Sequence, residues 1–305
     1  MKFIRIIKTV TLLTAMTFAG CGQKNNSQKT NQLTNMDTLG SSEKKDTSFQ
    51  SGHLLVNGIN MYYEIHGTGQ PLVLIHGGGS TIFTSFSRIM PLFAQTRQVI
   101  AVELQAHGRT GDRNSPESFE QDADDVAELL KQLKVSKADI LGFSNGGSTG
   151  LQIAMRHPES VNKVVAISAI YKRTGMHDWF WPFMQKGTFK DMPQLYKDAF
   201  LSVNPDEQKL LNMYNKDSQR MLTFKDWNED DLKKIQAPVF VIVSDKDVVR
   251  PEHAIEMIHL MPQARLAILP GGHGEFFGEA MSPRPESKVP ELAVSMIEEF
   301  LNEAH

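Results

Sequence analysis

The sequence predicts an α/β fold: a doubly wound, mostly parallel sheet with helices on both faces and a helical segment inserted ahead of its last strands. Three observations predict it. Short, largely apolar runs such as Pro71 to Ile75, Val161 to Ala169 and Pro238 to Ser244 alternate with helix-compatible stretches. Strands read this way when helices bury both of their faces. A Gly-x-Ser-x-Gly pattern, Gly142-Phe143-Ser144-Asn145-Gly146, stands between an apolar run, Ala138 to Leu141, and a helix-compatible run, Gly147 to His157. Finally, about 65 residues separate the run ending near Ala169 from the one starting at Pro238, too many for a plain connection in a compact domain.

The chain has 305 residues, 40% hydrophobic and 22% charged. That suits one globular domain with an insertion and is ample for a core. The net charge of −3, with no basic block interleaved with aromatics, argues against nucleic acid as a partner.

The N-terminus reads as a leader. Lys2, Arg5 and Lys8 precede a short apolar stretch, Val10 to Ala19, too short to span a membrane stably. Phe18-Ala19-Gly20-Cys21 follows, and Cys21 is the only cysteine. This resembles a bacterial lipoprotein signal peptide, in which a small residue precedes the lipidated cysteine; Phe18 stands where an aliphatic residue is usual. The resemblance implies cleavage before Cys21, lipidation of Cys21, export to the periplasmic side or cell surface, and membrane contact through the lipid anchor alone. Cleavage removes three basic residues and no acidic one, which takes the formal charge from −3 to −6. No cysteine then remains for a disulfide, so stability must come from the core. Residues 22–51 are rich in Asn, Gln, Ser, Thr and Lys. They cannot bury enough surface to fold and read as a tether with a reach of roughly 30 Å.

The core elements follow in order. His53 to Val56 and Ile59 to His66 read as a hairpin across Asn57-Gly58, a pair suited to a type I′ turn. The buried strand Pro71 to Ile75 runs into His76-Gly77-Gly78-Gly79-Ser80, where glycines allow backbone N–H groups close to a ligand. Ile82 to Gln95 reads as a helix and Gln98 to Leu104 as a strand. Ser115-Pro116 offers an N-cap with proline at the first helical position, and the helix through Leu133 carries Val126, Leu129, Leu130 and Leu133 on one face. The Gly-x-Ser-x-Gly strand and helix come next. Val161 to Ala169, Pro238 to Ser244 and Arg265 to Leu269 read as further strands, and Pro290 to Asn302 as a closing amphipathic helix.

Strand, sharp turn, helix is the context that makes Gly142 to Gly146 a nucleophile elbow. The turn exposes the Ser144 hydroxyl at the sheet edge, and the N-terminus of the helix that follows favours an anion there. Downstream, Leu269-Pro270-Gly271-Gly272-His273-Gly274 sets a histidine in a glycine-rich loop directly after a strand. Two carboxylates, Asp245 and Asp247, follow the strand that ends at Ser244. There is no His-Glu-x-x-His and no cysteine cluster, so neither metal nor other cofactor is expected.

His76-Gly77, the segment Glu103 to Thr110, Gly142 to Gly146, Asp247 and His273 fall in one order, and the chain resembles the α/β-hydrolase fold superfamily over about residues 52–303. That segment usually begins with Asp where this chain has Glu103. The resemblance implies an α/β-hydrolase-type core at 52–171 and 237–305, a helical cap at 172–236, and a Ser144-His273-Asp247 triad. The family pattern Gly-x-x-Asp, met here as Ser244-Asp245-Lys246-Asp247, selects Asp247 over Asp245, which then reads as a turn residue. Gly78 and Asn145 would supply the oxyanion hole through their N–H groups.

The cap segment holds all three tryptophans, Trp179, Trp181 and Trp227, and five methionines. Most of its apolar residues are expected to pack a small core of their own, with Trp179, Phe180 and Trp181 facing the cleft as substrate-binding residues. The expected function is cleavage of a carboxylic ester bearing an apolar acyl or aromatic group. Ser144 argues against the dehalogenases and epoxide hydrolases of the superfamily, which carry Asp at that position. Perhydrolases and non-haem haloperoxidases use the same triad, and some members are catalytically silent binding proteins; both remain alternatives at this point.

Overall fold

In the computed structural model, residues 49–304 are described. The signal-peptide reading, Cys21 and the tether up to residue 48 lie outside the described residues. Strand β1 (Gln50–Val56) and strand β2 (Ile59–His66) form an antiparallel hairpin. Asn57 and Gly58 turn it at φ 41° and 92°, the two left-handed residues a type I′ turn needs. The hairpin begins earlier than the sequence predicts: Gln50 and Ser51, read as the end of the tether, pair with Ile65 and Glu64. A strand at a sheet edge needs only backbone pairing on one side, so polar side chains do not prevent it.

Next come β3 (Gln70–Ile75), α1 (Ile82–Phe86), α2 (Met90–Phe93) and β4 (Arg97–Val102). A single helix over Ile82 to Gln95 is not formed. Pro91 has no N–H to give to the preceding turn, so the helix breaks and restarts with proline in its first turn. Helix α3 (Phe119–Gln132) starts later than Ser115-Pro116 suggests; Ser118 is the cap, its side chain accepting from the Gln121 N–H at 3.1 Å. Glu117, just ahead of it, is buried 3.6 Å from Arg220, which holds this stretch out of the helix.

Strand β5 (Ala138–Phe143), α4 (Asn145–Arg156) and β6 (Val161–Ile167) complete the first half. The insertion then carries α5 (Phe180–Lys186), α6 (Gln194–Val203), α7 (Glu207–Thr223) and α8 (Glu229–Lys233). The chain returns through β7 (Val239–Ser244), α9 (Pro251–Leu260), β8 (Ala264–Leu269) and α10 (Val289–Asn302). The eight strands lie in the order β1-β2-β4-β3-β5-β6-β7-β8, antiparallel at the β1-β2-β4 edge and parallel from β4 to β8.

Successive residues of one strand serve opposite layers, as the period of two requires. Val73 and Ile75 join Val126, Leu129 and Leu151 under α3 and α4. Leu72 and Leu74 join Phe86, Phe93, Ile297 and Phe300 under α1, α2 and α10. From β3 the chain goes to β4 on one side and then crosses to β5 on the other. The carboxyl ends of strands beside such a reversal are where open α/β sheets bind ligands.

Candidate active site

Ser144 occupies that position, between β5 and α4, with φ 56° and ψ −118°. This is an uncommon conformation for a residue with a side chain. The neighbouring structure imposes it. Ser144 N–H donates to the Ile167 carbonyl at 2.8 Å, and its own carbonyl accepts from Ser148 N–H at 3.1 Å. A Cβ at Gly142 would overlap the Gly146 carbonyl, and one at Gly146 would overlap the carbonyls of Ile75 and His76. The two glycines of the pattern are therefore required by close backbone approach.

The glycine loop after β3 lies against this turn. Gly77 N–H donates to Ser85 Oγ at 3.3 Å and Gly79 N–H donates to Asp217 Oδ2. Among the described residues the Gly78 N–H has no such acceptor, and Gly78 lines the same cavity as Ser144 and Asn145. His76, fully buried, donates from Nδ1 to the Gly77 carbonyl (2.7 Å) and accepts the Leu104 N–H at Nε2 (3.0 Å). That pattern fixes the neutral ring. Burial, aided by nearby charged His107, pushes its pKa down to about 3.

His273 and Asp247 meet from the loops after β8 and β7: His273 Nδ1 is 2.6 Å from Asp247 Oδ1. The ring packs on Phe143, with centroids 4.6 Å apart, and also lines the cavity. Asp247 is buried and takes Ser168 Oγ–H at 2.6 Å and Ser244 N–H at 3.3 Å on Oδ2, with Val249 N–H at 3.2 Å on Oδ1. Burial pushes its carboxyl up, but His273, Ser168 and Val249 outweigh that and hold it below the usual carboxylate range. With Nδ1–H given to Asp247, Nε2 is left as the basic atom of a neutral His273. Asp245 is exposed and accepts the Gly271 N–H at 2.8 Å, away from the histidine.

The cavity between this constellation and the insertion has a volume of about 350 Å³. The insertion contributes Phe180, Phe183 and four methionines, Met176, Met184, Met192 and Met221, with Tyr196 and Tyr214 as polar tips. Of the aromatic trio predicted to face the cleft, Phe180 alone lines it. Trp179 is 53% exposed and stands outside the lining. Trp181 is turned the other way: its Nε1–H donates to the Arg173 carbonyl at 2.9 Å, and the Arg173 guanidinium lies 3.7 Å over its ring. Phe180 and Trp181, adjacent on α5, point about 100° apart around the helix, and the indole N–H needs an acceptor, which the backbone beneath supplies. Part of the insertion packs separately, around Phe200, Leu210 and Met213.

No Lys or Arg lines the cavity, and no cluster of three or more His, Cys, Asp or Glu among the described residues is arranged to hold a metal ion. Asp217, a residue the sequence gives no reason to single out, lines it from α7. His107 Nε2 lies 3.0 Å from its Oδ2, while His107 Nδ1 lies 2.8 Å from the Gln105 carbonyl. Both ring nitrogens face acceptors, so this fully buried histidine is the imidazolium. Burial alone would lower its pKa; the Asp217 charge outweighs this and raises it to about 9. Ser168, which supports Asp247 from a left-handed backbone at φ 52°, also escapes sequence reading, because its role depends on the β6 to β7 neighbourhood.

A family model described as alpha/beta hydrolase fold matches residues 70–230, more than half of the sequence. The chain belongs to the α/β-hydrolase fold family. A hydrolase of Bacillus subtilis without an assigned activity, YugF, is 27% identical over 274 residues, covering 81% of this chain and 96% of that one. The 2-hydroxy-6-oxo-6-(2'-aminophenyl)hexa-2,4-dienoic acid hydrolase of Metapseudomonas resinovorans is 26% identical over 167 residues, 52% of this chain and 58% of that one. Among solved structures, a meta-cleavage product hydrolase, CumD, superposes with a TM-score of 0.68 at 20% identity, covering 83% of this chain and 99% of that one. At that identity the superposition bears on the fold. The eight-stranded sheet with its insertion between β6 and β7 is the α/β-hydrolase architecture in this chain.

Proposed function

We propose that this α/β hydrolase is a serine hydrolase that cleaves a carboxylic ester. Ser144 is the nucleophile, His273 its base, and Asp247 the group that orients the histidine. Gly78 and Asn145 N–H groups receive the oxyanion. The observation that carries the reading is the 2.6 Å contact of His273 Nδ1 with Asp247, made beside a cavity that also exposes a left-handed Ser144. In the forward step His273 Nε2 takes the Ser144 Oγ proton as the oxygen bonds to the acyl carbon. The proton passes to the leaving alkoxide, and water, deprotonated by the same nitrogen, releases the acid from the acyl-enzyme. Each oxyanion donor typically contributes about 3 kcal/mol to the transition state.

The cavity wall supports an ester with an apolar acyl or aromatic part. Phe180, Phe183 and the methionines give it an apolar, deformable surface. The named Metapseudomonas relative acts on an acid. A carboxylate entering this cavity meets no lining Lys or Arg, and an unpaired buried charge is costly, which favours the neutral ester. Two measurements test the reading. A fluorophosphonate probe should label the protein, and Ser144→Ala should abolish both labelling and turnover of p-nitrophenyl esters while the fold is kept. A variant retaining more than a few per cent of turnover removes Ser144 as nucleophile. Faster turnover of a dienoic acid than of any ester in a chain-length series removes the ester assignment.

The Cys21 reading is likewise a proposal, supported by the leader pattern that ends at the only cysteine. It makes the protein an exported lipoprotein whose soluble enzyme is held at the membrane by its N-terminus. Cys21→Ser should release it from membranes with its esterase activity intact; persistence in washed membranes contradicts the anchor.

A further inference from the structure

Asp217 stands out among the charged groups near the cavity because every acceptor position it has is taken. Its Oδ2 accepts from Gly79 N–H and from His107 Nε2–H. Its Oδ1 accepts from Asn145 Nδ2–H, at 3.3 Å, and from Arg220. A carboxylate offers about four such positions, so none is left to bind substrate or to act as a base. Its partners come from four places in the chain: the glycine loop, the loop after β4, the first residue of α4, and α7 itself. Arg220 is in turn fixed to the core, donating to Asp122 Oδ2 of α3 at 2.7 Å.

Two of these partners bracket the proposed oxyanion hole. Gly79 follows Gly78, and Asn145 is the other donor residue. Gly78 packs directly between them: a Cβ there would stand 2.5 Å from Asn145 Nδ2 and 3.1 Å from Asp217 Oδ2. A bare carboxylate this close would repel an oxyanion. Here its charge is offset by His107 and by Arg220, which it shares with Asp122 and Glu117.

We propose that Asp217 is a positioning residue: delivered by cap helix α7, it clamps Gly79 and the Asn145 side chain so that the N–H groups of Gly78 and Asn145 converge on one point, and the oxyanion hole is complete only when the cap is seated. This rests on the oxyanion reading above. The clamp acts on transition-state geometry and leaves the apolar walls of the cavity in place.

The test compares wild type, Asp217→Asn, Asp217→Ala and Asn145→Ala in the full chain. For each, kcat and KM are measured with p-nitrophenyl butyrate, together with Ki for an alkyl trifluoromethyl ketone and for an unreactive ether of the same shape. The ketone forms an oxyanion on Ser144; the ether does not. Asp217→Asn should lower kcat by about 10–100-fold, less than the 10²–10³ typical of deleting an oxyanion donor. The ketone should weaken by the same factor, with KM and the ether Ki within about threefold of wild type. Asp217→Ala should lose more, because Asn keeps one acceptor oxygen for Gly79. Asn145→Ala, which keeps its N–H but loses the clamp, should lose about 3–10-fold in kcat. Where the alanine at 217 does not fold, the isosteric Asn and the Asn145 variant carry the test. Wild-type kcat and ketone affinity in either of those overturns the proposal, and so does a loss shared equally by ether and ketone, the mark of a substrate-binding role. A Ser144→Ala control separates the two levels. If it retains turnover, the oxyanion reading itself falls; if it is inactive while the clamp variants match wild type, the clamp alone falls.

Discussion

Replacing Asp247 with Asn exchanges one carboxylate oxygen for an NH2, and the surroundings decide which one. At the Oδ1 position the NH2 would face Val249 N–H, 3.2 Å away in the native protein, and His273 Nδ1 at 2.6 Å. His273 would then carry its proton on Nε2, and the base toward Ser144 is lost. At the Oδ2 position the NH2 would face Ser168 Oγ, 2.6 Å away, and Ser244 N–H at 3.3 Å. The Ser168 hydroxyl can rotate to accept, so this orientation keeps the working tautomer and loses only the charge and one long bond. In a serine protease the same change costs about 10⁴ in kcat through the wrong tautomer. Here the Ser168 escape route should hold the loss to about 10²–10³. Ser168→Ala alone should cost less than about tenfold. The double variant should then fall to the full loss of about 10⁴, more than the two single effects combined, because without an acceptor at Oδ2 the NH2 turns toward His273. The assay is kcat for p-nitrophenyl butyrate, with melting temperatures to establish folding. Folded Asp247→Asn above 10% of wild-type kcat, or a greater loss in Asp245→Asn, would refute the assignment of Asp247. Additive losses in the double variant would refute the orientation argument.

The remaining predictions concern the cap and the buried charges. Phe180→Ala should shift preference along a p-nitrophenyl ester chain-length series with a small change in melting temperature, since Phe180 lines the cavity. Trp181→Ala should do the reverse, lowering the melting temperature with an unchanged profile, because that indole is spent on Arg173; a shifted profile would contradict its placement. His107 bears on stability at alkaline pH. Its folded pKa, raised to about 9, exceeds the unfolded value of about 6.5, so its contribution is complete below about pH 6.5 and is lost as pH rises through 9. The shift corresponds to something on the order of 3 kcal/mol. The groups facing it are Asp217 and Arg220 of α7, Asp122 of α3, Glu117 and His76, and Glu117, pushed up by burial to about 8, adds a fall of the same sign. Melting temperature should therefore drop between pH 7 and 9.5, and the drop should shrink in His107→Gln; an equal drop in that variant would assign it elsewhere.

The core was readable because its constraints are local. A strand buried on both faces must be largely apolar; Pro71 to Ile75 and Ala138 to Leu141 fall within observed strands, and Pro238 to Ser244 matches one to within a residue. The elbow is legible for a similar reason. Only glycine fits where a Cβ would meet carbonyl oxygens of the adjacent turn and strand, so the spacing of Gly142 and Gly146 records the geometry itself. Errors gathered where a local signal competed with a distant one. Ser115-Pro116 is a sound N-cap signal, yet the pull of Arg220, about a hundred residues away, on Glu117 and Asp122 moves the helix start to Phe119.

The cap shows the same rule in its strongest form. Aromatic content says that Trp179-Phe180-Trp181 must bury surface somewhere; it does not say which ring meets the cavity. That choice falls to the backbone beneath, whose Arg173 carbonyl takes the Trp181 N–H and leaves the cavity wall to Phe180 and the methionines. Asp217 and Arg220 pose the converse problem. Spaced i and i+3 on a polar helix, they read as a solvated ion pair of small consequence. Their weight comes from burial against Asp122, His107 and Gly79, which arrive from three other segments. A charged pair in sequence carries no mark of the surface that will cover it. Stereotyped backbone features of this site are therefore legible in the chain, whereas the charged support behind them becomes visible only when α7 is seated on the sheet.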